Sequence, residues 1–296
     1  IKKFDYHPNT HAQSLALGKS KIIGLLVSDI ANPFFPEIIK SIEAAVIANG
    51  YNLFLLNTNY EVERTLAYVQ RLIQMKVAGI ILMIAEFDKA LIGEAKRKKT
   101  SFVFQDLGFA GEKVSNIVID YAVGIDEAVQ HLISLGHRDI VHIAGSHEIH
   151  SAGVRRQAFI DSMKRHLPKG PEPRLYEGDF RFEGGRLAAS KLLSEASLPT
   201  GVVVANDLMA LGAMQEFKSA GLRIPEDISI IGFDDISFAS LSEPPLTTVC
   251  SPRAEIGRRA FEAIQLTIDH PHQSGVEIVV PTNLIKRGST APPRKK

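Results

Sequence analysis

The sequence contains no tryptophan and one cysteine, Cys250, in 296 residues. A lone thiol cannot close an intrachain disulfide, so a reducing compartment is the simpler expectation. No apolar run approaches the roughly 20 residues that span a bilayer, and Ile1-Lys2-Lys3-Phe4-Asp5 carries no signal-peptide core. No membrane partner is expected. A net charge of +1 gives no sign of a nucleic-acid footprint spread over the whole surface. The basic residues at the two ends, Lys2, Lys3, Lys19 and Lys21, then Arg294-Lys295-Lys296, read as solvated tails.

Catalytic motifs are missing too. There is no Gly-x-Gly-x-x-Gly and no Gly-x-Ser-x-Gly. Gly18-Lys19-Ser20 has Gln13 where a phosphate-binding loop needs its first glycine. His137-Arg138-Asp139 has Ala144 where a kinase loop has asparagine. His147-Glu148-Ile149-His150 is one residue short of the zinc-protease spacing. With no nucleophile, base and oxyanion hole assembled, no catalytic residue, metal or cofactor is expected.

What is present is an alternation of short β-branched runs with amphipathic helices. Gly201 to Asp235 carries it most clearly. Val202-Val203-Val204-Ala205 stops at Asn206-Asp207, a helix runs from Leu208 to Ala220, and a second apolar run, Ile228 to Ile231, closes with Gly232-Phe233-Asp234-Asp235. Such a unit is β-α-β with a buried parallel sheet. Ligands bind such sheets beyond the carboxyl ends of the strands, where Asn206 and Asp234 fall together. Strands are expected at 22–27, 51–56, 78–83, 101–104 and 116–119, then at 140–144, 174–176 and 276–280. Helices are expected at 34–49, 62–75, 91–98, 125–135, 153–166, 182–196 and 254–268. The fold class is α/β, two similar halves of parallel sheet, with a late helix and strands that cross back between them. The ligand crevice is expected between the halves.

A set of short motifs follows in order along the chain: Tyr6-His7-Pro8-Asn9 with Ala12 and Ser14-Leu15; Ile23-Gly24-Leu25-Leu26-Val27 with Asp29 and Asn32-Pro33-Phe34-Phe35; Leu135-Gly136-His137-Arg138; Ala205-Asn206-Asp207; Ile231-Gly232-Phe233-Asp234-Asp235; and Pro245-Leu246-Thr247-Thr248-Val249. Over nearly the whole length, this series resembles the lactose/galactose repressor (LacI/GalR) family of bacterial transcription regulators. The resemblance implies two Rossmann-like, periplasmic-binding-protein-like lobes and a homodimer in the cytoplasm. It also implies contact with operator DNA through a helix-turn-helix head, absent from this sequence, and through a hinge helix. Residues 1–20 would be the end of the head and the hinge. Residues 21–121 with about 252–272 would form one lobe, 122–248 with about 275–290 the other, and 291–296 a basic tail.

Site residues follow from the same resemblance. Leu15 matches the leucine that wedges into the minor groove, with Ala12 and Asn9 beside it in the hinge. Phe34, Asp120, Arg155, Phe180, Asn206 and Asp234 match effector-pocket positions, and Asp29, Asp106 and Ser151 rank behind them. Tyr121 and Ala158 replace an asparagine and a glycine common in the family. Aromatic faces with Asp, Asn and Arg suit a sugar, and Arg155 leaves room for a sugar acid or sugar phosphate; a nucleobase fits less well. The rival expectation is a sugar-binding protein of a transport system, which shares the two-lobed fold but would not carry the hinge motif.

Overall fold

The computed structural model describes residues 20–86, 92–94, 100–106 and 109–294. Asn9, Ala12 and Leu15 of the expected hinge, most of the helix expected at 91–98, and the last two lysines lie outside them. The chain divides into two compact units. One comprises residues up to Ile30, Glu37–Val118 and Ala254–Ile278; the other comprises Ala31–Pro36, Ile119–Arg253 and Val279–Lys296.

The first unit is built on a six-stranded sheet in the order β11-β5-β4-β3-β1-β2. Its strands are β1 (Ile22–Val27), β2 (Asn52–Asn57), β3 (Gly79–Met83), β4 (Ser101–Gln105), β5 (Val114–Ile119) and β11 (Glu277–Val280). β1 pairs in parallel with both β2 and β3, and its run Ile23 to Val27 is buried throughout, as two covered faces require. Helix α1 (Phe34–Ala48) follows β1, and α2 (Val62–Gln74) buries Thr65, Val69 and Leu72, one stripe at helical spacing. Gly24 lets α2 approach closely: a Cβ there would lie 2.4 Å from Leu72 Cδ1. The late helix α8 (Arg253–Asp269) packs back onto this unit, with Ile264 over Gly79 and Ala254 O accepting from Ser41 Oγ at 2.6 Å. At the carboxyl ends of β1 to β3, the buried Glu86 carboxylate accepts hydroxyl bonds from Ser28, Thr58 and Thr65. A buried charge so provided with donors ties three segments together.

The second unit repeats the plan, with strand order β12-β10-β9-β8-β6-β7. The strands are β6 (Ile140–Ala144), β7 (Arg174–Glu177), β8 (Gly201–Val204), β9 (Ser229–Asp234), β10 (Thr247–Cys250) and β12 (Asn283–Ile285). All pairings are parallel except β10 with β12. The helices are α3 (Tyr121–Ser134), α4 (His150–His166), α5 (Phe182–Leu193), α6 (Asp207–Ser219) and α7 (Ser237–Leu241). The two-residue period of the strands sorts the faces. Val141, Ile143, Val202, Val204 and Ile230 join the core with α5 and α6. His142 and Phe233 point to the other face, where they meet Phe159 of α4 and Tyr121 of α3. The final segment is knit to β9: Ile230 N donates to Ser289 O, Ser289 Oγ donates to Ile230 O, and Ala291 N donates to Ser229 Oγ.

Three expectations need correction. β11 joins the first sheet beside β5, although residues from about 275 were grouped with the second half; Asn116 N donates to Val276 O. α3 begins at Tyr121 rather than Ile125, because Asp120 caps it by accepting from Val123 N at 3.2 Å. α4 likewise begins at His150, which shortens the loop before it. The short helix α7 was not expected.

Helices α5 and α6 meet through glycines. A Cβ at Gly185 would lie 2.0 Å from Met209 O, and one at Gly212 would lie 2.0 Å from Phe182 O. Backbone cannot yield as a side-chain tip can. Gly212→Ala is therefore expected to destabilise the chain by about 1–3 kcal/mol, the usual cost of overpacking, read as a lower denaturant midpoint with an unchanged slope.

Candidate functional site

Strand ends β8 and β9 deliver two main-chain carbonyls and a carboxylate to one place in the second unit, and α4 delivers a cation. Arg155 lies on the buried face of α4 and is only 5% exposed. Its Nη1 donates to Ala205 O, just past β8, at 2.6 Å. Its Nη2 lies 3.7 Å from Asp234 Oδ1, at the end of β9. Three rings enclose the guanidinium: Tyr121 at 4.4 Å, Phe233 at 4.7 Å and Phe180 at 5.3 Å from the centroid. Cation–π attraction strengthens when the cation is desolvated, so the rings partly replace the water that Arg155 has lost.

The carboxylate side is undersupplied with donors. Asp234 is buried, and its Oδ1 receives no hydrogen bond. The guanidinium of Arg253 goes to the main-chain carbonyl of Asp234 instead. Burial pushes the Asp234 carboxyl up to about 6, against the pull of Arg155 and Arg253. Beside it, Asp207 is fully buried and accepts from Ile236 N at 2.8 Å and Thr248 Oγ1 at 2.5 Å. Burial first, and then the charge of Asp234, raise the Asp207 carboxyl well above its ordinary range.

Strained backbone marks the same place. Phe180, Asp234 and Asp235 have φ of +64°, +105° and +55°, each costing on the order of 1–3 kcal/mol without glycine's freedom. Fixed partners hold them. Asn206 Nδ2 donates to Phe180 O at 3.0 Å, Phe180 N donates to Met209 Sδ, and Asp235 pairs with Arg287 at 2.5 Å.

Of the residues named from sequence, Arg155, Phe180 and Asp234 meet directly. Asn206 is buried with both polar atoms engaged, capping α6 through Met209 N and holding Phe180 O; it shapes the site rather than offering a free donor. Asp120 caps α3, and its main-chain carbonyl accepts from Thr282 at 2.7 Å. Phe34 is buried, donates its N–H to Asn32 Oδ1 and packs edge-to-face on Phe35. Ser151 lies in the first turn of α4. Asp29 and Asp106 belong to the first unit, and Asp106 accepts from Gln105 Nε2 at 3.2 Å. The histidine loop resolves into an exposed pair, His147 Nδ1 to Glu177 at 2.6 Å. Among the described residues no three His, Cys, Asp or Glu side chains could hold a metal.

Sequence reasoning missed Tyr121, Phe233, Asp207 and His142 as parts of this cluster. For Phe233 the signal was available: strand alternation from Ile231 puts it on the helix α3 and α4 face. His142 lies within the electrostatic reach of Arg155. It is fully buried, stacks on Phe159 at 5.0 Å, and its Nδ1 bonds Val203 O while Nε2 has no partner. Burial lowers its pKa to about 4, and Arg155 and Arg156 push the same way.

The fold is shared with known proteins. A family model described as a periplasmic binding protein-like domain matches residues 129–290. The HTH-type transcriptional repressor PurR of Photorhabdus laumondii is 34% identical over 98% of this chain and 85% of its own length. The lac repressor dimer bound to operator and the anti-inducer ONPF superposes with a TM-score of 0.85 at 29% identity, covering 97% of this chain and all of that one. A LacI family regulator from Enterococcus faecium with bound ribose gives 0.81 at 31% identity, over 92% of this chain and 99% of that one.

His142 and Asp234 give opposite pH signatures. A buried histidine whose pKa falls from 6.5 to about 4 stabilises the fold above 6.5, and that stability is lost as pH falls to 4. A buried acid raised from 3.8 to about 6 stabilises below 3.8, and that stability is lost as pH rises to 6. His142→Leu removes only the first. The stability difference between wild type and His142→Leu should therefore move against the wild type by about 3 kcal/mol between pH 7 and pH 4, measured by urea unfolding.

Proposed function

The chain belongs to the LacI family of transcriptional repressors, and from this we propose that its second unit holds a neutral sugar effector against Arg155 and Asp234. The family resolves regulator against transport protein and against enzyme: the chain is a repressor core with an effector-binding function. The effector class rests on one observation, the buried Arg155–Asp234 pair, which is incompletely bonded and walled by aromatic faces. A vicinal diol supplies hydroxyl donors to the carboxylate and oxygen acceptors to the guanidinium. Phe180 or its neighbours would cover the apolar face of the ring. Asp234 itself weighs against an acid or a phosphate, because with its carboxyl raised only to about 6 it is ionised at neutral pH and would repel an anion. The ribose in the Enterococcus faecium relative favours the same class.

The regulator would act in the bacterial cytoplasm as a homodimer on a two-fold operator, with Asn9, Ala12 and Leu15 contributing the hinge contact. Effector would change operator affinity only by its differential affinity for the two states of the core. Phe238 and Leu241, three residues apart on α7, are 52% and 77% exposed and would pack against the second copy.

Thermal unfolding against ribose, other neutral sugars, sugar acids, sugar phosphates and purines tests the site. A neutral sugar at ~100 times its dissociation constant should stabilise the protein by about 2.7 kcal/mol, and Asp234→Asn should remove most of that shift. A shift with purines or phosphates alone would overturn the sugar reading. For the dimer, Leu241→Asp should shift sedimentation toward monomer while leaving the circular dichroism spectrum unchanged.

A further inference from the structure

Every cation near Asp234 already has another partner. Arg155 Nη1 is bonded to Ala205 O, and its nearest nitrogen stands 3.7 Å from the carboxylate, beyond hydrogen-bond reach. Arg253, at the start of α8, bonds the Asp234 main-chain carbonyl, not the side chain. Arg287 is paired with Asp235. From α6, Asp207 adds a second buried carboxyl, and from β6, His142 is held neutral at neutral pH. The ring of Tyr121 lies over Arg155 from α3, and Cys250 is the strand partner of Asp234 on β10. Asp234 is thus a buried carboxylate facing cations that give it charge but no hydrogen bond, with Oδ1 unpartnered. Such a group is poorly solvated when ionised.

We infer that Asp234 carries a proton in a large fraction of ligand-free molecules at mildly acid pH, and that an effector hydroxyl displaces it, so that effector binding releases a proton to solvent. The inference rests on the effector site described above and adds its regulation by pH. The bond that changes is the carboxyl O–H. Its proton leaves to water, and the carboxylate then accepts the effector's O–H, a charge-assisted bond roughly twice as strong as a neutral one. Burial of Asp234, which lifts its carboxyl to about 6, supports the same picture. The sign is fixed by linkage: a ligand that prefers the ionised form binds more tightly as pH rises through that value and stops gaining above it.

Two measurements decide it. In protein labelled with carbon-13 at aspartate side-chain carboxyls, the Asp234 resonance is assigned through the backbone of the wild-type chain, so no variant has to fold. It should titrate near pH 6 without ligand; titration in the ordinary range near 3.8 would overturn the proposal. Calorimetry with ribose as probe should give an affinity about tenfold higher at pH 7.5 than at pH 5.0. An equal ribose affinity at both pH values, with Asp234 titrating near 6, would overturn the coupling. If ribose failed to bind at either pH, the sugar reading would fail for ribose, and the carboxyl titration alone would decide whether Asp234 holds the proton.

Discussion

Taking a guanidinium and a carboxylate out of water costs several kcal/mol for each ion, and the second unit is arranged around meeting that cost incompletely. Arg155 is compensated by a main-chain carbonyl and three rings. Asp234 is compensated by field alone. The asymmetry sets the place apart from an ordinary buried ion pair, for a pair with every donor and acceptor satisfied would offer a ligand nothing. The strand ends supply this arrangement, since carbonyls and side chains leaving a parallel sheet have no further strand to pair with. Glu86 in the first unit is the useful contrast. It too is a buried carboxylate at strand ends, but three hydroxyls satisfy it, and it acts as a tie.

The left-handed backbone at Phe180, Asp234 and Asp235 belongs to the same arrangement. In relaxed conformations the β9 end would continue as a strand. Instead it turns sharply, Arg253 and Arg287 hold the turn, and Asn206 fixes Phe180 from the cap of α6. Side chains that looked like ligand contacts are in part the frame for others. Asn206 is the clearest case.

Most of the fold could be read from the sequence, because period-2 apolar runs and helical stripes state which face is buried. β1 and β6 appear with the bounds that their runs suggest. Helix starts were harder to read, since Asp120 caps α3 from a position that also resembles a ligand residue. The placement of β11 was not legible at all: a four-residue strand does not say which of two similar sheets it will join. Within the site, Arg155 was named from motif resemblance and Asp234 from its strand end as well, and the fold brings the two together. Two of the rings that enclose the arginine, Tyr121 and Phe233, and the histidine that feels its charge were missed, because they come from α3, β9 and β6, and only tertiary packing gathers them.

Neither unit is a continuous piece of chain. The first takes its helix α8 from residues after Ala254, and the second takes its closing segment from residues after Val279, including the stretch knit to β9. During synthesis at about 5–20 residues per second, an amino-terminal domain ordinarily completes itself before the next emerges. Here that order is unavailable. Gly79 waits for Ile264, and Ser229 waits for Ala291, so both halves remain unfinished on the ribosome until nearly the whole of this sequence has been translated. Both are then completed within the same few seconds.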